Sequence, residues 1–155
     1  MLFALVVLVL PTQYKSFYKW IALGASVAQS ILLIPLLRGY SLAKNSSALF
    51  EEGAYQFVEK SSWFNFSLGN LGNFQANYFL GLDGLSLSMV VLSVIILSFG
   101  VIASWKIEKR AKGYFSLFLL LNTTILGCFL SLEALLFYVF FEFLLLPMFF
   151  LIGIW

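Results

Sequence analysis

Long apolar runs constrain this chain more than any other feature of its sequence. Residues 17–37, 85–105, 114–132 and 134–155 each supply the roughly 20 mainly apolar residues that a helix needs to cross a hydrocarbon core. In lipid every backbone N–H and C=O must be satisfied within the protein, so such runs fold as helices. Residues 1–11 (MLFALVVLVLP) form a fifth, shorter run. It lacks the basic leader and small-residue cleavage site of a secretory signal, and is read as a short or partly spanning first helix. A chain this short buries only about 70% of its surface on folding. One water-soluble core cannot absorb 62% hydrophobic residues against 10% charged. The expected fold is all-α, a polytopic transmembrane helix bundle of about five hydrophobic segments, and this excludes a cytosolic enzyme or a soluble binding module. Three regions follow: 1–37, 38–84 and 85–155, the last ending in a helix over 134–155.

Charge and composition narrow the chemistry. Nine Lys+Arg against seven Asp+Glu leave a net charge of +2, too weak for a nucleic-acid partner. One cysteine, Cys128, excludes an intrachain disulfide and any C-x-x-C site. With no histidine there is no imidazole ligand or base, and no cofactor is expected in this chain. No Ser or Cys has a base to activate it, which removes a hydrolase reading, and there is no Gly-rich phosphate loop. Carboxylates, lysines, hydroxyls and backbone remain.

Residues 39–83 form the one long polar stretch. Its acids and lysines (Glu51, Glu52, Glu59, Lys44, Lys60) interleave with Trp63, Phe64, Phe66, Phe74, Tyr78 and Phe79. The Asn/Gly/Ser density of SLGNLGN (67–73) reads as loop, and the aromatics suit the membrane interface. An extramembrane or interfacial connection is preferred to a substrate lid. N-x-S/T matches at Asn45, Asn65 and Asn122 are read as chance, the last lying inside a span. With the first segment spanning, Lys15 and Lys19 share a side with Lys106, Lys109, Arg110 and Lys112. The rule that basic loops stay inside makes that the inner side and turns the N-terminus outward.

One ionisable side chain sits deep in a run. Glu142, in LLFYVFFEFLLLPMFFLIGIW, lies at least seven residues from either end of its segment, more than about 10 Å along a helix axis. An ionisable group there costs about 2.5–3.5 kcal/mol on insertion scales and is a functional candidate by default. Unpaired, it would hold a proton; beside a lysine it would ionise. A group poised between those states can relay a proton, whereas a carboxyl held permanently protonated would merely bridge helices. Pro147, five residues on, removes a backbone donor and frees the carbonyl of Phe143, predicting a kink that water can reach. Glu133 and Asp83 are secondary candidates. Glu133 is expected to cap the last helix, where a carboxylate suits the positive dipole end, and Asp83 to cap the third span. Glu108 reads as part of a solvated ion-pair cluster. Cys128, Ser98, Ser116, Thr123 and Thr124 are expected to satisfy themselves on backbone carbonyls or a neighbouring helix.

Two stretches carry a family resemblance. LGLDGLSLSMVVL (80–92) and IASWKIEKRAKGYFSLFLLLNTTILGCFLSLEALLFYVFFEFLLLPMFFLIGIW (102–155) resemble chain 4 of NADH:ubiquinone oxidoreductase, an antiporter-like membrane subunit of respiratory complex I. The signature is a DG-L-S start to one span followed by LLFY-x-FFE-x4-PMF-x2-IG-x-W. YQFVEKSSWF (55–64) is similar to the loop of mitochondrial versions. The resemblance implies that Glu142 is the carboxylate of the proton-translocating path and works with a lysine on a later helix. It implies flavin and iron–sulfur clusters in other subunits, other complex I membrane subunits and membrane lipids as partners, and the mitochondrial inner membrane as location, with the bacterial plasma membrane as alternative. The family's later helices do not occur in this sequence, so a split gene with a second chain supplying them, or a truncation, is expected. A multisubunit cation/proton antiporter and a purely structural membrane subunit are the competing functions.

Overall fold

A computed structural model describes residues 4, 6, 7, 15–40, 55–67, 73–107 and 109–155. Four helices in it are long and apolar enough to cross a membrane. They are α1 (Lys15–Gly39), α2 (Gly84–Ala103), α3 (Ala111–Leu130) and α4 (Ala134–Ile154). The polytopic helix bundle read from the sequence is what the chain forms. Most of the expected first segment lies outside the described residues, as does the direction of the N-terminus. Ala4 and Val7 are nevertheless buried in the main core.

Several helix boundaries have a local cause. Asp83 is extended, and its Oδ1 accepts the Ser86 N–H at 2.6 Å, capping α2 as expected. The other end of α2 tightens into a 3-10 turn over Ser104–Lys106. Arg110 then takes a left-handed φ of 50° and turns the chain into α3. Between α3 and α4 only residues 131–133 intervene, so the two helices return as an antiparallel pair. Near one end of the pair Gly127 lets the Phe140 ring against the α3 backbone, where a Cβ would collide with it. At the other end Trp155 stacks edge-on against Tyr114, ring centroids 5.4 Å apart, and its Nε1 donates to the Lys109 carbonyl at 2.6 Å.

α3 is the helix that packs against all the others. Tyr18, Ala22 and Ala25 of α1, Leu97 and Val101 of α2, and Phe115, Phe118 and Leu119 of α3 make the core. Outward faces stay apolar, with Leu32, Leu85, Phe99, Phe149 and Ile152 all more than 55% exposed, as a lipid solvent requires. Hydroxyls inside the helices bond to backbone as expected. Ser98 donates to Val94 O at 2.7 Å, Thr123 to Leu119 O at 2.9 Å, and Thr124 to Leu121 O at 2.9 Å. Ser116 reaches Ala4 O at 3.5 Å.

The connection between α1 and α2 departs from the expected loop where it is described; residues 41–54 and 68–72, which hold Lys44, Glu51, Glu52 and most of SLGNLGN, lie outside the described residues. Its described residues form an antiparallel hairpin, β1 (Gln56–Ser67) with β2 (Asn73–Leu82), in register from Gln56 opposite Leu82 to Ser67 opposite Asn73. Register shifts fall between Gln56 and Glu59 and between Ser62 and Phe64. At the first, Phe57 takes a φ of 54°, rare for a bulky residue, and its ring lies where a Cβ on Gly39 would meet it, at the end of α1. A bulge thus re-aims this side chain onto the bundle. Trp63 and Phe64 are exposed, and Lys60 Nζ lies 5.4 Å from the Phe79 ring centroid.

The bundle is sided. The hairpin sits at the end formed by Gly39, Asp83 and the α3–α4 turn. At the opposite end Trp20 and Trp105 meet edge-to-face at 5.5 Å, at the same end of the bundle as Lys19, Lys106, Lys109, Arg110 and Lys112. Tryptophans at helix ends suit a membrane–water interface.

Candidate functional site

Glu142 lies eight residues into α4, about 12 Å along its axis, near the middle of the span. α4 divides into two faces. Leu136, Phe140 and Pro147 turn toward the rest of the chain, Leu136 and Pro147 being almost fully buried. Tyr138, Glu142, Leu145, Phe149 and Ile152, spaced by three and four residues, form an exposed stripe. Depth was legible in the sequence; the direction faced was not. The chain's own helices leave the carboxylate uncovered, and its polar neighbour among the described residues is the Tyr138 hydroxyl, one turn toward the hairpin on the same stripe.

Pro147 is within an unbroken helical segment, its ring packed inward on a different face from Glu142. Lacking an N–H, it cannot bond the Phe143 carbonyl, so one acceptor lies just beyond the carboxylate.

Glu133 departs from its expected role. It occupies the N-cap position of α4 but makes no side-chain cap bond. Instead its Oε2 accepts the backbone N–H of Asn77 in β2 at 2.6 Å. The neighbouring residues extend this seam: Leu132 N–H donates to Phe79 O at 2.9 Å, and Ser131 forms a bridge with Leu80. A non-local donor has displaced the local one. The strand amide gives the carboxylate a short, charge-assisted bond, and through it the hairpin is tied to the start of the helix carrying Glu142.

Asp83 lies at the same hairpin end as Glu133, with Tyr40 beside it. Burial and the Asp83 charge together push the Tyr40 phenol above its ordinary value. Neither carboxylate reaches Glu142, which is nine residues beyond Glu133 on the helix, about 13 Å along its axis. Among the described residues no group of three or more Cys, Asp or Glu could hold a metal ion.

Sequence reasoning missed one polar feature. Gln29 Nε2 donates to Asn122 Oδ1 at 3.1 Å, and Asn122 Nδ2 returns a bond to Gln29 Oε1 at 2.8 Å. This reciprocal amide pair joins α1 to α3 near mid-span, at a depth similar to that of Glu142. The available signal was two primary amides near the centres of two apolar runs, where polar side chains seek partners.

A family model described as NADH-ubiquinone oxidoreductase chain 4, amino terminus, matches residues 30–133. NADH-quinone oxidoreductase subunit M of Rhodobacter capsulatus is 36% identical over 137 residues, 88% of this chain and 23% of that protein. NADH-ubiquinone oxidoreductase chain 4 of Mycosarcoma maydis is 32% identical over 144 residues, 92% of this chain and 26% of that one. F(420)H(2) dehydrogenase subunit M of Methanosarcina mazei is 34% identical over 103 residues, covering 66% and 19%. The chain thus spans about a quarter or less of the length of these relatives. The family model's match ends at Glu133, before Glu142.

Proposed function

The chain belongs to the NADH-ubiquinone oxidoreductase chain 4 family, and from that premise we propose that it is part of a proton-translocating membrane subunit of an NADH:quinone oxidoreductase. In this reading Glu142 loads and releases a proton in step with electron transfer carried out on other subunits. The observation that carries it is a carboxylate at mid-depth of an apolar helix, on the face that the chain's own helices leave uncovered. Holding an ionisable group there costs about 2.5–3.5 kcal/mol, and a face left open is one that a further segment can complete.

The chemistry needed is a proton acceptor whose charge state can be switched. A lysine brought against the open stripe would favour the carboxylate; its withdrawal would favour the carboxylic acid. Tyr138 offers a phenolic O–H to the ionised form, and the carbonyl freed by Pro147 offers an acceptor to water just beyond. Moving one charge against 100 mV requires about 2.3 kcal/mol, so the switch must be driven by the redox step. The lysine would come from outside residues 1–155, on the same polypeptide or another one. Flavin and iron–sulfur centres belong to partner subunits, and other membrane subunits and lipids surround the bundle. The similarity of YQFVEKSSWF to mitochondrial versions supports the inner mitochondrial membrane, with the bacterial plasma membrane as alternative. The electron donor is set elsewhere in the assembly, since one relative is named for F(420)H(2).

Glu142→Gln tests the proposal, because it keeps the shape and removes the titration. In the assembled complex, measured in sealed vesicles, NADH-driven proton uptake should fall to a small fraction while the complex still assembles; Glu142→Asp should keep part of it. Unchanged uptake in Glu142→Gln would assign the chain a structural role instead. Sodium-dependent exchange without NADH oxidation would assign it to a cation/proton antiporter.

A further inference from the structure

Two cavities flank α3 and differ in the chemistry of their walls. The first, of about 380 Å³, lies between α1, α3 and α4; its polar lining comes from Gln29, Asn122, Thr123 and Tyr78. The second, of about 450 Å³, lies between α2, α3 and α4 and is apolar apart from Ser93 and Cys128. We infer that the first cavity is a water-binding pocket running from the middle of the bundle to the hairpin end, and that the second is dry.

The amide pair is the core of the case. A primary amide carries two N–H donors and an oxygen with two lone pairs. The reciprocal bonds of 3.1 and 2.8 Å use one donor and one acceptor site on each side chain, which leaves each amide able to bond again. Asn122 is only 5% exposed, so its remaining capacity is directed at the protein interior and the cavity it lines. An acyl chain filling that space would leave those sites unmet, whereas water meets them. The lining is mostly apolar, but its cluster of Gln29, Asn122, Thr123 and Tyr78 supplies the polar partners that retained water needs; a wall without such a cluster leaves a cavity empty or open to lipid. The lining extends along α3 from Leu119 to Leu130 and ends against Tyr78 and Leu80 of β2. Leu119 and Leu130 are eleven positions apart on α3, about 16 Å, enough to link mid-span to the extramembrane side. The pocket lies apart from Glu142, whose stripe faces away from it, and the inference does not rest on the proposed proton path.

Cysteine accessibility in membrane vesicles containing the whole assembly separates the two cavities. Leu126 lines the first, one turn from Asn122, while the native Cys128 lines the second. In a Cys128→Ser background, Leu126→Cys should react with a charged, membrane-impermeant methanethiosulfonate applied from the hairpin side. In the unmodified chain Cys128 should react with a lipid-soluble maleimide and at least tenfold more slowly with the charged reagent. Adding Gln29→Leu and Asn122→Leu to Leu126→Cys should slow the charged reagent at least tenfold. Reaction of Leu126→Cys with the maleimide alone would show lipid in the pocket, and failure with both reagents would show it filled by protein. Equal charged-reagent rates at both positions would show unselective penetration. Each of these three results overturns the inference.

Discussion

Replacing Glu133 with alanine is the sharpest test of how the hairpin is held. The wild-type carboxylate accepts the Asn77 N–H at 2.6 Å, and hydrogen bonds to a charged group contribute about 1.5–3 kcal/mol. Loss of this one bond should raise the local opening equilibrium of the Asn77 amide by roughly ten- to a hundredfold, at about 1.4 kcal/mol per factor of ten. The neighbouring seam, Leu132 N–H to Phe79 O at 2.9 Å, is backbone and survives the substitution, so protection at Phe79 and Leu80 should fall less. Glu133→Gln retains an acceptor without the charge and should give an intermediate value, about 0.5–1.5 kcal/mol of loss. Amide hydrogen exchange of the assembled protein in nanodiscs, read by mass spectrometry over residues 73–82, measures all three. Unchanged exchange in Glu133→Ala would show that the bond does not hold the strand. Uniform loss of protection across residues 73–82 and the helices would show instead that Glu133 supports the whole fold.

Two further outcomes follow from the geometry. Gly127→Ala should lower bundle stability by about 1–3 kcal/mol, because the added Cβ meets the Phe140 ring; Gly24→Ala, with open space around it, is the control, and steric-trap unfolding in lipid compares them. Tyr40 has a raised folded-state pKa, so its contribution is present below the ordinary phenol value near 10 and is lost as pH rises through the folded value. Thermal stability of wild type should therefore drop more than that of Tyr40→Phe above about pH 10, and parallel curves would contradict the assignment.

The spans were legible because length and apolarity alone decide them, and the tight α3–α4 return because residues 131–133 leave no room for anything else. Asp83 was legible as a cap because its partner, Ser86, is three residues away. Where partners are distant, sequence pattern failed for identifiable reasons. The hairpin hid because its two register shifts interrupt the alternation of period two that reveals a strand. Glu133 was assigned to the nearest helix terminus, yet its donor is 56 residues away. Gln29 and Asn122, 93 residues apart, each looked like an isolated polar intrusion. Only folding brings the two intrusions to one depth and makes them a pair.

The same cost explains why the amide pair and Glu142 are treated differently. Gln29, Asn122 and Glu142 all lie near mid-span, where an unmet polar group is most expensive. The two amides are neutral, and each offers what the other needs, so the pair closes within this chain and can be packed inward. A carboxylate has no such self-complementary partner here: the described cations near the helix termini lie toward the two ends of the bundle, Arg38 at the hairpin end and Lys19, Lys106, Lys109, Arg110 and Lys112 at the other. Glu142 instead lies on the outward stripe, one turn from Tyr138, where a further segment packed against α4 would complete its surroundings. Under the proposed function, a carboxylate whose surroundings are completed from outside residues 1–155 suits a coupled proton carrier, whereas a carboxylic acid that merely bridges helices would be better placed beside the amides.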